Sequence, residues 1–185
     1  MKKQILLALA LISVAYTAQA QYEKGDVSLN LGASFGLIGY GYGYYGSGSG
    51  FIPITISGEY SLNEQFGVGA YAGYFSRSYG SGDFRFTALS FGARGIFHAG
   101  PLLRDKAGWD LSEKLGLYAA LLLGVETMSW KYRDDNLSGY YNNGSRMIFG
   151  PTVGVRYFFS PRFAGFFEAG RGAYGIGTIG ITAKL

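Results

Sequence analysis

The chain has no cysteine, one histidine, four prolines and only 15% charged residues. Lack of cysteine excludes a disulfide framework and lipoprotein acylation, so the fold must hold without covalent staples. A single histidine, His98, together with no cysteine, leaves little for nucleophilic catalysis or for a transition-metal site. Only carboxylates remain as metal ligands, and Asp134-Asp135-Asn136 offers calcium-like oxygens without the rest of an EF-hand loop. No cofactor is expected. Lys and Arg are scattered rather than clustered, which excludes a nucleic-acid footprint. Charge is sparse against the roughly 25% of ordinary soluble domains, and a soluble barrel of this size would need a more charged exterior.

Long hydrophobic runs are also missing. Gln4 to Ala15 is apolar but too short to cross a bilayer, and it follows Met1, Lys2 and Lys3, the positive start of a signal peptide. Ala18-Gln19-Ala20 supplies the small-x-small cleavage pattern, so cleavage is expected after Ala20. The mature chain, 21–185, then begins at Gln21, forms one domain of 165 residues, and loses two of its four net positive charges with Lys2 and Lys3. After Ala20 no uninterrupted apolar run reaches helix-spanning length, so any membrane crossing has to be made by strands.

What the chain has instead is glycine, tyrosine and phenylalanine, with 31, 16 and 14 residues. Period-two alternation dominates beyond Gly25, with no convincing helical stretch. Eight strands are expected: Gly25 to Gly36, Phe51 to Tyr60, Phe66 to Ser76, Phe84 to Phe97, Lys114 to Trp130, Ser145 to Phe159, Arg162 to Gly170, and Ile176 to Leu185. In the first, Val27, Leu29, Leu31, Ala33 and Phe35 alternate with Asp26, Ser28, Asn30, Gly32 and Ser34. The third strand is rich in small residues, so its facing is ambiguous and a bulge could flip it. An even strand count suits closure with both termini on one side.

The connections sort by composition. Outer loops are expected at Leu37 to Gly50, Arg77 to Asp83, Lys131 to Gly144 and Arg171 to Gly175. Inner turns fall at Ser61 to Gln65, Ser160 to Pro161 and, unusually long, His98 to Glu113. The minority face of the strands is mostly Gly, Ser, Thr and Asn with isolated charges, which suits a narrow lumen and points the apolar face outward. Aromatics gather at strand ends: Tyr60, Phe66, Phe97, Tyr157, Phe159 and Phe163 on the inner side, and Phe35, Phe51, Phe75, Phe84 and Trp130 on the outer. Two such girdles flanking an aliphatic band mark a bilayer. The fold class is therefore all-β, a closed antiparallel transmembrane β-barrel of about eight strands in up-and-down order, placed in the bacterial outer membrane among its lipids.

The signal peptide, the alternating strands, the segments GARGIFHAG and EKLGLYAALLLGVE, and the ending FFEAGRGAYGIGTIGITAKL together resemble the opacity-type and related outer-membrane β-barrel family. The resemblance covers nearly the whole mature chain and implies fold and location rather than an activity. Members often end in an aromatic residue, whereas this chain ends Ala183-Lys184-Leu185.

Two groups of residues stand out. Glu59, Arg94, Glu126, Arg156 and Glu168 all lie opposite the aliphatic band on five different strands, and a lumen charge network accounts for them. Arg94 and Arg156 should pair with Glu59 and Glu168, and Glu126 with Arg77 or Arg146, because an unpaired ion in so narrow a barrel costs several kcal/mol. The second group is loop tyrosine: Tyr40, Tyr42, Tyr44 and Tyr45 in GYGYGYYGSGSG, then Tyr132, Tyr140 and Tyr141. Tyr with Gly and Ser is the composition of adaptable recognition loops, and equally of a rim touching lipid headgroups. His98 reads as a solvated turn residue. A non-enzymatic barrel with a structural role, or one that contacts an extracellular or envelope partner through its outer loops, fits these features. A lipid-modifying enzyme would need a catalytic constellation at the outer rim, and a small channel or apolar-solute conduit would need a gap in the lumen.

Overall fold

The structure, a computed structural model, describes residues 22–37, 49–50, 52–79, 84–107, 114–132 and 144–185. The expected signal peptide, 1–20, lies outside them. Eight strands form the wall: β1 Val27–Leu37, β2 Ile54–Ser61, β3 Phe66–Tyr79, β4 Phe84–His98, β5 Leu115–Tyr132, β6 Gly144–Phe158, β7 Phe163–Gly170 and β8 Gly175–Lys184. Each pairs antiparallel with its sequence neighbours, and β1 also pairs with β8, from Ser28 opposite Lys184 to Leu37 opposite Gly175. Every wall strand thus has two partners and the sheet closes, satisfying its backbone internally as a bilayer demands. Ser49–Gly50 adds a two-residue ladder against β3 at Ser78 and Arg77.

Alternation decides what faces where. Leu29, Leu31, Ile54, Ile56, Leu89, Phe91, Leu123, Val153, Ile179 and Ile181 are exposed on the outside, whereas Ser28, Asn30, Ser57, Ser90, Thr152 and Thr182 are buried. An exterior that exposes its aliphatic residues while burying its hydroxyls is the inverse of a soluble barrel. This is a transmembrane β-barrel. Among the described residues no helix is long and apolar enough to cross a membrane; strands do the crossing. β3 keeps an unbroken register with both neighbours, without a bulge, and turns Tyr71 and Phe75 inward.

The short turns are built by local side-chain chemistry. Asn63 Oδ1 accepts from the amides of Gln65 and Phe66 at 2.8 and 2.7 Å, closing β2 onto β3. Ser160 Oγ accepts from the Phe163 amide at 2.9 Å between β6 and β7. The long inner connection holds a helix, α1 Gly100–Ala107, that the alternation-based reading does not anticipate. Its first turn carries Pro101, where a missing N–H costs nothing, and Leu103 N donates to Ala99 O at 3.0 Å.

The inner aromatic girdle is present: Tyr60, Phe66, Tyr157, Phe159 and Phe163 are all exposed on the outside. The outer girdle is thinner than composition suggests. Phe35 faces outward, but Phe75 is buried inside the lumen and Trp130 packs against the same interior cluster. The side chains of Phe51 and Phe84 lie outside the described residues.

Candidate functional site

The lumen divides into two unlike halves. At the inner end, five strands deliver Glu59, Arg94, Tyr118, Arg156 and Glu168 to one level, and the segment before β1 adds Tyr22. Arg156 is 1% exposed; its Nη2 spans both oxygens of Glu59 at 2.9 and 2.7 Å, and its Nη1 donates to the Tyr22 hydroxyl. Arg94 reaches Glu59 through Nε at 3.1 Å and Glu168 through its terminal nitrogens. Tyr118 donates to Glu168 Oε1 at 2.8 Å, and its ring lies 4.5 Å beneath the Arg156 guanidinium. Two arginines and two glutamates cancel formally, so the low dielectric that would penalise a lone ion instead strengthens each contact.

Tyr22 closes this end. Its ring stacks on His98 with centroids 4.0 Å apart and meets Phe158 edge-on at 6.1 Å. Burial pushes the Tyr22 hydroxyl above its ordinary pKa, so it stays neutral while accepting from Arg156. Below it, Lys184 pairs with Asp26 at 2.6 Å across the β1–β8 seam. His98 is therefore not the solvated turn residue its neighbours suggested: it is buried, facing the lumen, because it shares parity with Arg94 and Ile96 on β4.

Arg94 thus serves Glu59 and Glu168 together, while Arg156 holds Glu59. Glu126 stands apart, fully buried nearer the outer end, and pairs with Arg146 across the β5–β6 ladder. Between the ionic level and Glu126 run short polar links: Asn30 to Ser57 at 3.0 Å, Thr182 to Asn30 at 2.7 Å, and Ser34 to Thr178 at 2.9 Å.

The outer half breaks the expectation of a lumen lined by small polar residues. Tyr71, Phe75, Phe86, Ala88, Leu122, Ala173 and Tyr174 form one buried cluster, with Met128 and Trp130 packed against it. Strict period two explains the wall members, since Phe86 shares parity with Ser90 and Trp130 with Glu126. Tyr174 comes from the turn between β7 and β8, and its hydroxyl donates to Gly73 O at 2.8 Å. Gly73 makes room for it, because a Cβ there would stand 2.7 Å from the Tyr174 ring.

Among the described residues, no three of His, Asp and Glu gather where they could hold a metal ion. Of the loop tyrosines, Tyr40, Tyr42, Tyr44, Tyr45, Tyr140 and Tyr141 lie outside the described residues, and Tyr132 ends β5 with its side chain outside them.

No protein-family model matches the chain, and no curated protein sequence does either. Solved structures do match. The N-terminal β-barrel domain of OprF from Pseudomonas aeruginosa gives a TM-score of 0.52 at 11% identity, covering 89% of this chain and 100% of that one. The outer membrane protein OprG from the same organism gives 0.52 at 11%, covering 89% and 97%. Neisserial surface protein A gives 0.50 at 15%, covering 86% and 95%. The fold is that of small outer-membrane barrels. At these identities the likeness extends to architecture alone, so the functional reading has to come from the lumen and the rim.

Proposed function

We propose that this chain is a non-enzymatic protein of the bacterial outer membrane that conducts nothing through its lumen and acts at its outer face, through the rim and loops. The observation that carries the reading is the closed inner end: Arg94, Arg156, Glu59, Glu168 and the Tyr22–His98 stack fill the cross-section of a barrel that side chains alone can fill. A solute path to the inner side would require breaking several charge-assisted bonds at once. The apolar exterior and the fold shared with outer-membrane proteins support the location.

On this reading the outer loops, with Tyr40, Tyr42, Tyr44, Tyr45, Tyr132, Tyr140 and Tyr141, contact an extracellular or envelope surface, or support the envelope mechanically. Refolded protein inserted into planar lipid bilayers should give no steady conductance, while a variant lacking the seal, such as Tyr22→Ala with Arg156→Ala, should show intermittent openings. Stable unitary conductance from the native protein would overturn the proposal.

A further inference from the structure

The outer half of the lumen holds an aromatic side chain that the wall does not supply. β7 ends at Gly170, whereas β6 rises on to Gly144 and pairs with β7 only over Thr152 to Phe158. Above that level the chain makes a four-residue turn, and instead of pointing outward the turn sends Ala173 and Tyr174 into the barrel, where Tyr174 is 2% exposed. The turn is flanked by glycines. Gly170 has φ +131°, and Gly172 and Gly175 sit on either side of the inserted pair. Glycine lets such a turn take more than one backbone conformation without steric penalty.

The surroundings of Tyr174 are an aromatic-lined cluster that encloses its ring. Phe75 lies 6.1 Å from it and Phe86 5.9 Å from Phe75, while Trp130 packs on Phe86 at 4.7 Å and Leu122 is buried beneath. A few polar atoms fix orientation in ligand pockets, and here three point inward. Gly73 O accepts from the Tyr174 hydroxyl. The hydroxyl of Tyr71, on a side chain 4% exposed, has no hydrogen-bond partner among the described residues, and the fully buried Ser90 sets its hydroxyl beside Tyr174. A buried hydroxyl without a partner is uncommon in a finished interior, and that of Tyr71 leaves a donor that an incoming oxygen would satisfy.

We propose that the outer lumen is a binding site for a small aromatic molecule carrying one hydroxyl, and that Tyr174 occupies it as a built-in competitor that the ligand displaces. The ligand ring takes the place of the tyrosine ring between Phe75 and Leu122. Its hydroxyl donates to Gly73 O and accepts from Tyr71. Because the inner end is sealed, the site is a cup closed toward the inner side, and not a step in a path across the membrane. The closed inner side rests on the closed-lumen reading; the binding itself does not.

The probe is p-cresol, the tyrosine side chain as a free molecule, with toluene as its counterpart lacking the hydroxyl. In a Trp109→Phe background Trp130 is the single tryptophan, so its emission reports on the cluster. Heat-modifiable gel migration establishes that each variant is folded. Tyr174→Gly should bind p-cresol saturably, at least tenfold more tightly than the native protein, which should still bind. p-Cresol should exceed toluene about fivefold, and Tyr71→Phe should shrink that preference. Ala88→Phe, which fills the cup, should abolish the response. A folded Tyr174→Gly protein with no saturable response, a native protein silent up to the solubility of p-cresol, or a response that survives Ala88→Phe would each overturn the site. Conductance measurements are unaffected by these outcomes, so failure here and failure of the closed-lumen reading are separable.

Discussion

Arg94 offers the sharpest test of the lumen network, because its removal affects its two partners unequally. Glu59 would keep Arg156, which spans both of its oxygens, but Glu168 would retain only the Tyr118 hydroxyl at 2.8 Å. Removing one partner of a buried ion pair costs about 3–5 kcal/mol. The surviving hydrogen bond to the charged carboxylate offsets part of that, so Arg94→Met should lower stability by about 3 kcal/mol. Glu168→Gln is milder, since Arg94 still holds Glu59 at 3.1 Å, and should cost about 1 kcal/mol.

In the double variant no carboxylate is stranded, and about 2 kcal/mol is expected rather than the sum of the single losses, giving a coupling near 2 kcal/mol. The measurement is urea unfolding in lipid vesicles followed by tryptophan emission, with folded protein verified by gel migration. Additivity within about 0.5 kcal/mol would mean that Arg94 and Glu168 do not share a dry interior. The inward assignment of the whole even-numbered face of β4 would then fail with it.

Tyr22→Ala should lower stability by about 3 kcal/mol through loss of the His98 stack and the Arg156 contact, whereas Tyr22→Phe should cost only about 1 kcal/mol, both read by the same unfolding assay. Gly170→Ala should cost about 2–3 kcal/mol, because φ is +131° there and a Cβ would stand 2.4 Å from Pro151 O; a neutral result would refute the described turn. Intact-mass measurement of the membrane-embedded protein should give a chain beginning at Gln21. Replacing residues 39–48 by a short turn should leave assembly and heat-modifiable migration intact, since outer loops add little to strand pairing.

Much of the fold was legible because a strand half in lipid has to alternate, and Leu29, Leu31, Ile54, Ile56, Ile179 and Ile181 do so without exception. The same parity placed Glu59, Arg94, Glu126, Arg156 and Glu168 inside, which burial and pairing agree with. Where aromatic character outweighed parity the reading went astray. Phe75 and Trp130 sit near strand ends like girdle residues, yet each shares parity with lumen neighbours, Tyr71 and Glu126. α1 was hidden because an eight-residue helix offers barely two turns of periodicity, and the Gly100-Pro101 start resembles a turn. Tyr22 and Tyr174 were out of reach of any period, since both lie outside strands and meet their partners only through closure of the barrel.

That last point bears on how the molecule assembles. Tyr22 precedes β1 by five residues and Tyr174 directly precedes β8, so the two strands of the closing seam carry the side chains that fill opposite ends of the lumen. Tyr22 reaches His98 at the end of β4, and Tyr174 reaches Gly73 in the middle of β3, both on the far side of the sequence. The Tyr174 contact joins the β8 side of the seam to the β1 side, so it forms as the sheet curls closed. The Lys184–Asp26 pair spans the same seam, and Thr182 bonds to Asn30 across it. Backbone pairing of the seam, burial of Tyr22 and Tyr174, and completion of the ionic level around Arg156 are therefore coupled. A loosened seam leaves Arg156 short of one partner and the apolar cup without its plug. Such coupling gives a closed barrel a single cooperative transition instead of a gradual fraying from its edge strands.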